Sequence, residues 1–383
     1  MGDRSSCLRE RREPLGTYPA YQVTSGTSGA VPPAGDATND TEEGRAYSMY
    51  IGIDIAKASF EAGVQEGEEG AKWGRFTNDA AGFEALTQRI AQEEADPSQV
   101  YLVVEPTGGY ELALVVFGRA KGWNVCLVNP RKVREWAKGM GWRAKTDGQD
   151  ALKLSGYGAA RRPVPQEEMP ANVQELDSLL RRKDDLEKMI REERNRQQSP
   201  QAPGLSGSVS ESIDRVLEAL TQELARVNEV IEKLLASDTV LQEDLQRLRQ
   251  VPGIGERNAP YLLVFLYRWE AVSRGEGGAK ELTAYTGIDP QPYESGTSVR
   301  RHGGISRMGN SGIRQRLYMS ALGGVRGNNP LREFYQGLVG RSKPKKVALV
   351  AASRKILVWA WAVFSRKVDF DPARACAMPT PVA

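Results

Sequence analysis

Short apolar runs alternate with helix-periodic segments between positions 50 and 128. The runs at 50–55 and Val100–Val104 are rich in β-branched residues and are bounded by Gly, Pro or charge, which is typical of buried strands. Further strands are predicted at 59–64, 73–76 and 124–128, and helices at 78–92 and 110–121. Three leading strands followed by alternating helices and strands predict an α/β domain built on a mixed sheet.

Four acidic residues fall at the ends of these elements. Asp54 lies inside the first run and Glu105 directly follows the run Val100–Val104, whereas Asp147 and Asp150 occur together further along. A carboxylate within or capping a buried strand is costly unless it is paired or holds a metal. If the last pair begins a helix, a spacing of three residues puts both carboxylates on one face. The four acids therefore predict a divalent cation site, and we expect Mg²⁺.

A long helical seam follows. Residues 173–196 predict a charged helix, and a second helix is predicted to begin near Ser210. Its apolar positions step alternately by four and three residues, as in a coiled coil: Ile213, Leu217, Leu220, Leu224, Val227, Ile231 and Leu234. This seam could pair with the preceding helix as a hairpin within the chain, or with a second chain. Dimerisation is the prediction we favour, because a long seam between two functional parts is a plausible assembly device.

Charge is divided unevenly along the chain. The net charge is only +3, but from Leu241 to the end there are 22 Lys and Arg against 11 Asp and Glu, whereas the remainder has 30 against 38. A basic C-terminal third indicates that this part of the chain binds a polyanion, and nucleic acid is favoured over a merely solvated basic surface.

Rare residue types exclude several classes of site. The three cysteines, Cys7, Cys126 and Cys376, form neither a disulfide framework nor a zinc cluster, which indicates a reducing cytoplasm. The single histidine, His302, excludes a multi-histidine metal site and argues against a Ser-His-Asp triad. Chemistry must then depend on carboxylates, metal and hydroxyls. No apolar run was expected to span a membrane, and the N-terminus lacks a secretory signal.

The C-terminal third contains two segments suited to phosphate. Gly253 and Gly255 lie between two predicted helices, as in a helix-hairpin-helix element, although a plain turn between helices is equally compatible. Residues 285–310 predict an irregular loop rich in Gly and Arg that also carries the hydroxyls of Ser295, Thr297 and Ser298. Such hydroxyls are eligible nucleophiles, but on chemistry alone a loop serine is far more often a turn residue.

Basic residues around these segments are candidate nucleic-acid contacts. Those in the C-terminal part are Arg300, Arg301, Arg307, Arg314, Lys343, Lys345 and Lys346. A last apolar helix is predicted over 347–364. The earlier segment 131–145 mixes basic residues with Trp136 and Trp142, and suits either a nucleic-acid strand or a simple surface helix.

Five regions are therefore predicted. Residues 1–47, rich in Gly, Ser, Thr, Pro and charge, are expected to be a disordered extension. They are followed by a catalytic α/β domain at 48–165, coiled-coil helices at 170–248, a mainly helical domain at 249–367 and a flexible tail at 368–383.

These motifs, in this order, resemble the DEDD transposases of the insertion-sequence one-ten type, which are related to the Piv invertases. The N-terminal matches are Ile51-Gly52-Ile53-Asp54-Ile55-Ala56-Lys57, Val104-Glu105-Pro106-Thr107-Gly108 and Lys145-Thr146-Asp147-Gly148-Gln149-Asp150-Ala151. The C-terminal matches are Pro252-Gly253-Ile254-Gly255, Tyr285-Thr286-Gly287, Ser295-Gly296, Arg301-x-Gly303-Gly304-Ile305, Gly309-Asn310 and Lys343-Pro344-Lys345-Lys346. The resemblance covers about residues 49–364.

The resemblance implies more than the residues alone do. It implies a RuvC-like domain of the ribonuclease H fold with Asp54, Glu105, Asp147 and Asp150 as Mg²⁺ ligands, a dimerising coiled coil, and Ser295 as the nucleophile. It also implies a DNA recombinase directed by a structured bridge RNA. The active site would be composite, with acids from one protomer and the serine from another, in a dimer or tetramer.

Two other functions remain open at this point. A metal-dependent junction resolvase would need the four acids and water but no serine. A non-catalytic RNA- or DNA-binding protein would use the acids only as a structural ion-pair network.

Overall fold

A five-stranded mixed sheet forms the N-terminal half of the fold. The computed structural model describes residues 48–66, 69–142, 147–198, 207–295 and 299–377, so the predicted N-terminal extension lies outside it. The strands are β1 (Met49–Ile55), β2 (Ser59–Glu66), β3 (Glu69–Thr77), β4 (Val100–Val104) and β5 (Asn124–Leu127). Their spatial order is β3-β2-β1-β4-β5. Strands β1, β4 and β5 are parallel, whereas β2 and β3 are antiparallel, which confirms the predicted mixed sheet.

Helices cover both faces of this sheet. They are α1 (Ala80–Ala91), α2 (Leu112–Ala120), α3 (Pro130–Gly139) and α4 (Asp147–Arg161). Because side chains alternate along a strand, Ile51 and Ile53 of β1 pack with α1 and α2 in one cluster. Val103 of β4 packs on the opposite face with Leu154 of α4. The sheet is thus buried on both sides.

Helix α4 lies unusually close to β1. A Cβ atom on Gly52 would be 1.8 Å from the Ala151 carbonyl oxygen and 2.4 Å from the Ser155 nitrogen, so only glycine fits there. The buried Ser155 hydroxyl donates to the Tyr50 carbonyl oxygen at 2.6 Å and accepts from the Gln65 amide at 2.7 Å. These contacts fix α4, and with it Asp150, against β1.

Replacing Gly52 with alanine should destabilise the protein by about 3 kcal/mol, because a methyl group would overlap backbone atoms that cannot rotate away. Urea unfolding, followed by circular dichroism, measures the change. Gly139→Ala is the matched control, since a Cβ atom there meets no neighbour within 4 Å. Equal stability of the two variants would contradict the close approach of α4 to β1.

Two long helices form a hairpin within the chain. These are α5 (Ala171–Gln197) and α6 (Gly207–Ser237). Leu186 of α5 is buried in the same core cluster as Val227 and Ile231 of α6. The seam is therefore covered by the preceding helix, which is the alternative that the sequence analysis did not favour. Toward the start of α6 the seam is only half-buried, because α5 ends there in charged and amide residues.

The C-terminal part is mainly helical. Its elements are α7 (Thr239–Arg249), α8 (Ala259–Ser273), α9 (Ala279–Thr286), β6 (Pro290–Ser295), β7 (Val299–Ile305), α10 (Ser311–Gly324), α11 (Pro330–Gly340), α12 (Lys345–Arg366) and α13 (Pro372–Ala377). One core cluster joins α8 to α12, with Leu262, Leu266 and Ile356 fully buried.

The sequence analysis expected no apolar run long enough to span a membrane, but helix α12 reaches that length. It is long and apolar enough by length and composition, although 61% of its most apolar window is buried inside the fold. Arg354 and Lys355 interrupt this helix, which made the apolar run look shorter in the sequence. Its burial against the other helices marks it as a core helix.

The turn between α7 and α8 contains the two glycines noted in the sequence. Gly253 has a φ of 95°, and a Cβ atom there would be 2.5 Å from the Ser320 carbonyl oxygen of α10. The side chain of Asn258 also donates to the Ser320 hydroxyl at 3.0 Å. Gly253 therefore allows the turn to approach α10 closely, whereas a Cβ atom added to Gly255 would meet no neighbour within 4 Å.

Two predicted irregular segments are folded. The loop expected over 285–310 contains an antiparallel hairpin of β6 and β7, with Glu294 opposite Arg300 and a bulge between Pro290 and Pro292. A proline has no backbone N–H to donate to a neighbouring strand, but each strand of a two-stranded hairpin has one edge without a neighbour. Prolines are therefore compatible with this pairing. The prediction of a flexible tail is also wrong for the residues up to Ala377, which include α13. Phe370 packs on Trp359 with ring centroids 5.3 Å apart, and the Phe370 amide donates to the Gln250 side-chain oxygen.

Candidate active site

Asp54 and Glu105 are neighbours at one edge of the sheet. Ile53 pairs with Val104 in the parallel register of β1 and β4, and each acid is the next residue along its strand. Both side chains are partly buried. This is the edge at which the carboxyl ends of parallel strands form sites in open α/β sheets. The fold therefore brings together two acids that are 51 positions apart in the sequence.

Asp150 of α4 contributes a third charge to this edge. Burial raises the pKa of Glu105, and the neighbouring carboxylates of Asp54 and Asp150 raise it further, whereas the Arg134 guanidinium opposes them. Asp150 accepts a hydrogen bond from Lys153 at 2.6 Å, in an ion pair between residues three apart on α4. Glu105 therefore lies close enough to both Asp54 and Asp150 to feel the charge of each.

Asp147 is the first residue of α4, as the sequence predicted for the start of a helix. Its side chain is outside what the structure describes, so only the three-residue spacing places it on the face of Asp150. Among the described side chains, no three acids, histidines or cysteines are grouped tightly enough to hold a metal ion. The donor type nonetheless fits a hard divalent cation, because Asp54 and Glu105 bring carboxylate oxygens to adjacent strand ends.

Glu111 is a buried acid that the sequence analysis missed. Its carboxylate accepts from the Gly109 amide at 2.9 Å, the Thr107 amide at 3.1 Å and the Thr107 hydroxyl at 3.0 Å. Burial alone would raise the pKa of Glu111, but these hydrogen bonds and that of its own amide hold the pKa below its usual value. Glu111 therefore fixes the turn that follows Glu105. Its position shortly after Gly108 and Gly109 was the available signal in the sequence.

Ser295 is the last residue of β6. Its backbone pairs with Val299 at the end of the hairpin, and residues 296–298 between them lie outside the described chain. The backbones of Arg300 and Arg301 belong to β7, opposite Glu294 and Tyr293. The side chains of Ser295 and these arginines are not described, so their predicted roles stay predictions.

The other predicted basic contacts differ in availability. Arg307 is exposed, and so are Lys343, Lys345 and Lys346 at the start of α12. Arg314 instead uses one guanidinium nitrogen within the fold, donating to the Gly309 carbonyl oxygen at 2.6 Å and to that of Thr286 at 3.2 Å. Burial, and then the charge of Arg307, lower the pKa of Arg314.

The sheet domain contacts the C-terminal domain beside the acids. Asn129, which caps α3, donates through its side-chain nitrogen to the Met308 carbonyl oxygen at 2.5 Å. Arg131 donates to the Ser306 carbonyl oxygen at 3.2 Å. A cleft of about 350 Å³ lies at this junction. Basic and aromatic residues are evident here from the sequence, but the contact is not, because it joins positions 179 residues apart.

Two family models match this chain. One describes a DEDD transposase domain and covers residues 51–199, which includes β1, β4, α4 and the three described acids. The other describes the transposase family IS116/IS110/IS902 and covers residues 245–336, which includes the β6–β7 hairpin.

Two bacterial proteins are similar over most of their length. The pilin gene-inverting protein of Moraxella bovis is 31% identical over 327 residues, which is 84% of this chain and 97% of that protein. The pilin gene-inverting protein of Moraxella lacunata is 30% identical over 329 residues, with the same shares of 84% and 97%. Similarity over 84% of this chain, together with both domain matches, shows that the chain belongs to the IS110 family of transposases and related DNA invertases, and is a DNA recombinase.

Proposed function

We propose that this transposase cleaves and rejoins donor and target DNA through a covalent phosphoserine intermediate on Ser295. The observation that carries the proposal is the placement of Asp54 and Glu105 on adjacent strand ends with Asp150 nearby. Burial, and then the carboxylates of Asp54 and Asp150, raise the pKa of Glu105, which is typical of a functional site, and a cation site for phosphoryl transfer would account for it.

The acids would hold the cation, with Asp147 as the fourth ligand and Mg²⁺ as the expected ion. When bound, Mg²⁺ would polarise the scissile phosphate and stabilise charge on the attacking or leaving oxygen. Glu111 keeps the turn after Glu105 in place, so that the Glu105 carboxylate remains beside Asp54. Lys153 orients Asp150 through their ion pair.

Ser295 would supply the attacking oxygen. A bond forms between its Oγ and the phosphorus, the bond from phosphorus to one deoxyribose oxygen breaks, and the serine proton passes to a base or water. The released hydroxyl of a second strand can reverse this exchange, so joining needs no external energy source. Arg300, Arg301 or Arg307 would neutralise charge on the phosphate.

The wider assembly is proposed from the family. A structured bridge RNA would pair with donor and target, leaving the protein to recognise backbone and shape. The enzyme would act as a homodimer, and as a tetramer when two DNA sites are joined, in the bacterial cytoplasm. The half-buried start of the α6 seam is compatible with contacts between protomers. Within that assembly the acids of one protomer would meet the serine of another.

Hydrolysis by water is the second candidate, because the carboxylate cluster would serve a junction resolvase equally well. The two reactions leave different products. The resolvase yields free ends that need ligase, whereas the recombinase yields rejoined strands and a protein–DNA adduct.

The test is to incubate the purified enzyme with its RNA and with donor and target DNA, and to separate the products under denaturing conditions. We expect a protein–DNA species that survives denaturant, together with joined strands in the absence of ligase. Both should require a divalent cation and disappear with EDTA. Cleaved ends with no adduct and no joining would establish the hydrolytic alternative instead. Binding without any cleavage would favour the non-catalytic one.

A further inference from the structure

The cleft between the two domains is strongly basic. Its lining within the described chain contains four arginines and no acidic residue: Arg131, Arg134, Arg268 and Arg307. Its volume of about 350 Å³ is near the lower end for ligand pockets and exceeds what one phosphate group fills. An anion with some attached apolar surface fits this lining, because Phe265 and Tyr285 also border the cleft.

Two helix N-termini add to this charge. Asn129 caps α3 and Asn310 caps α10, and both residues line the cleft. The helix dipole makes an N-terminus favourable for an anion, although Asn129 and Asn310 already accept from the Arg131 and Ile313 amides of their own helices. One helix belongs to the sheet domain and the other to the C-terminal domain. An anion in the cleft would therefore be held by both domains at once.

The four guanidiniums are not equally engaged. Arg131 pairs with Glu135 at 3.0 Å and Arg268 pairs with Asp177 at 2.7 Å. Arg134 and Arg307 form no ion pair with any acid that the structure describes, although Arg134 donates to the Pro130 carbonyl oxygen at 3.2 Å. Arg134 acts on the charge of Glu105 without forming an ion pair, so the cleft keeps positive charge at Arg307 above all, which a phosphodiester would neutralise.

The cleft is also close to the carboxylate cluster. Arg134 lines it and at the same time acts on the charge of Glu105. A strand whose phosphate occupies the cleft would therefore continue toward the acids. This position distinguishes the strand to be cut from nucleic acid bound elsewhere on the protein.

We propose that the cleft binds a backbone phosphate of the DNA strand that is delivered to the carboxylates, with Arg307 from one domain and Arg134 from the other as its contacts. The proposal rests on the proposed function for the identity of that strand. Phosphate binding would then hold the two domains together at the Asn129–Met308 contact. It would also fix the position of the DNA strand relative to the carboxylates before cleavage begins.

The experiment measures binding of the full-length protein to a fluorescent duplex DNA of generic sequence over a range of salt concentrations. Arg307→Gln should weaken binding about tenfold at low salt, the loss typical of a hydrogen-bonded charge. It should also lower the slope of log affinity against log salt by about one, since one phosphate contact is lost. Arg307→Lys keeps the charge and should retain the wild-type slope.

The matched control is Arg366→Gln, which removes an exposed arginine at the end of α12 that does not line the cleft. It should leave affinity and slope as in the wild type. An Arg307→Gln protein that binds DNA with the wild-type slope would overturn the site. A loss equal to that of Arg366→Gln would do so as well, since it would reflect net charge alone.

A second arm uses a structured RNA hairpin of generic sequence in place of DNA. We expect Arg307→Gln to bind this RNA as the wild type does. A loss confined to RNA, or equal for RNA and DNA, would overturn the assignment to the DNA strand. Because the readout is binding, the result is independent of whether Ser295 forms an adduct, so the two proposals fail separately.

Discussion

Replacing Asp54 with asparagine should lower the rate of DNA strand cleavage by about a thousandfold or more. The change removes one carboxylate from the edge where β1 and β4 end together, while keeping nearly the same shape. Loss of a ligand for the catalytic cation costs several kcal/mol of transition-state stabilisation, and about 4 kcal/mol corresponds to a thousandfold in rate. Single-turnover cleavage of labelled DNA measures it, with folding checked by circular dichroism.

A suitable control for that variant is Glu84→Gln. Glu84 is an exposed acid in α1 that pairs with Lys121 at 3.1 Å, and such a surface ion pair contributes little. Its replacement also removes one negative charge from the sheet domain, but away from the strand ends. We expect cleavage within about twofold of the wild type. Full cleavage by Asp54→Asn would instead show that the acids form a structural network.

Replacing Ser295 with alanine should abolish the covalent protein–DNA species while RNA and DNA binding persist. The attacking oxygen would be absent, whereas the backbone pairing of position 295 with Val299 needs no side chain. Denaturing electrophoresis with labelled DNA detects the adduct, and mobility shift under native conditions reports binding. Strand joining should be lost together with the adduct.

Neighbouring hydroxyls provide the controls for this second experiment. Thr297→Ala and Ser298→Ala remove the other two hydroxyl groups of the same segment, and both variants should still form the adduct. An adduct in Ser295→Ala would remove that serine from its role. Its loss only in Thr297→Ala or Ser298→Ala would reassign the nucleophile to that position.

The sheet domain could be predicted because its information is local. Each strand is a short apolar run, and Asp54 and Glu105 immediately adjoin such runs, so strand pairing alone brings them together. The start of α4 at Asp147 also follows from nearby residues. What the sequence did not give was the depth at which α4 packs, which depends on Gly52 meeting a helix about 100 residues away.

The C-terminal part was harder to predict because its structure depends on distant partners. Pairing of β6 with β7 was hidden by prolines and by a weak alternation of apolar residues. The seam of α6 specified a partner helix but not whether that helix belonged to the same chain. The basic cleft requires the start of α3 to meet the segment before α10, and no periodicity within either helix encodes that contact.

The β6–β7 hairpin is anchored to the sheet domain next to its base. Arg131 donates to the Ser306 carbonyl oxygen beside that base. Five residues of extended chain separate Pro290 at the base from Ser295 at the tip, which corresponds to about 17 Å. A bulge between Pro290 and Pro292 bends the strand near the base of the hairpin. For the proposed role of Ser295, lengthening or shortening the hairpin by two residues would therefore change how far the hydroxyl reaches, without altering the hydroxyl or the acids themselves.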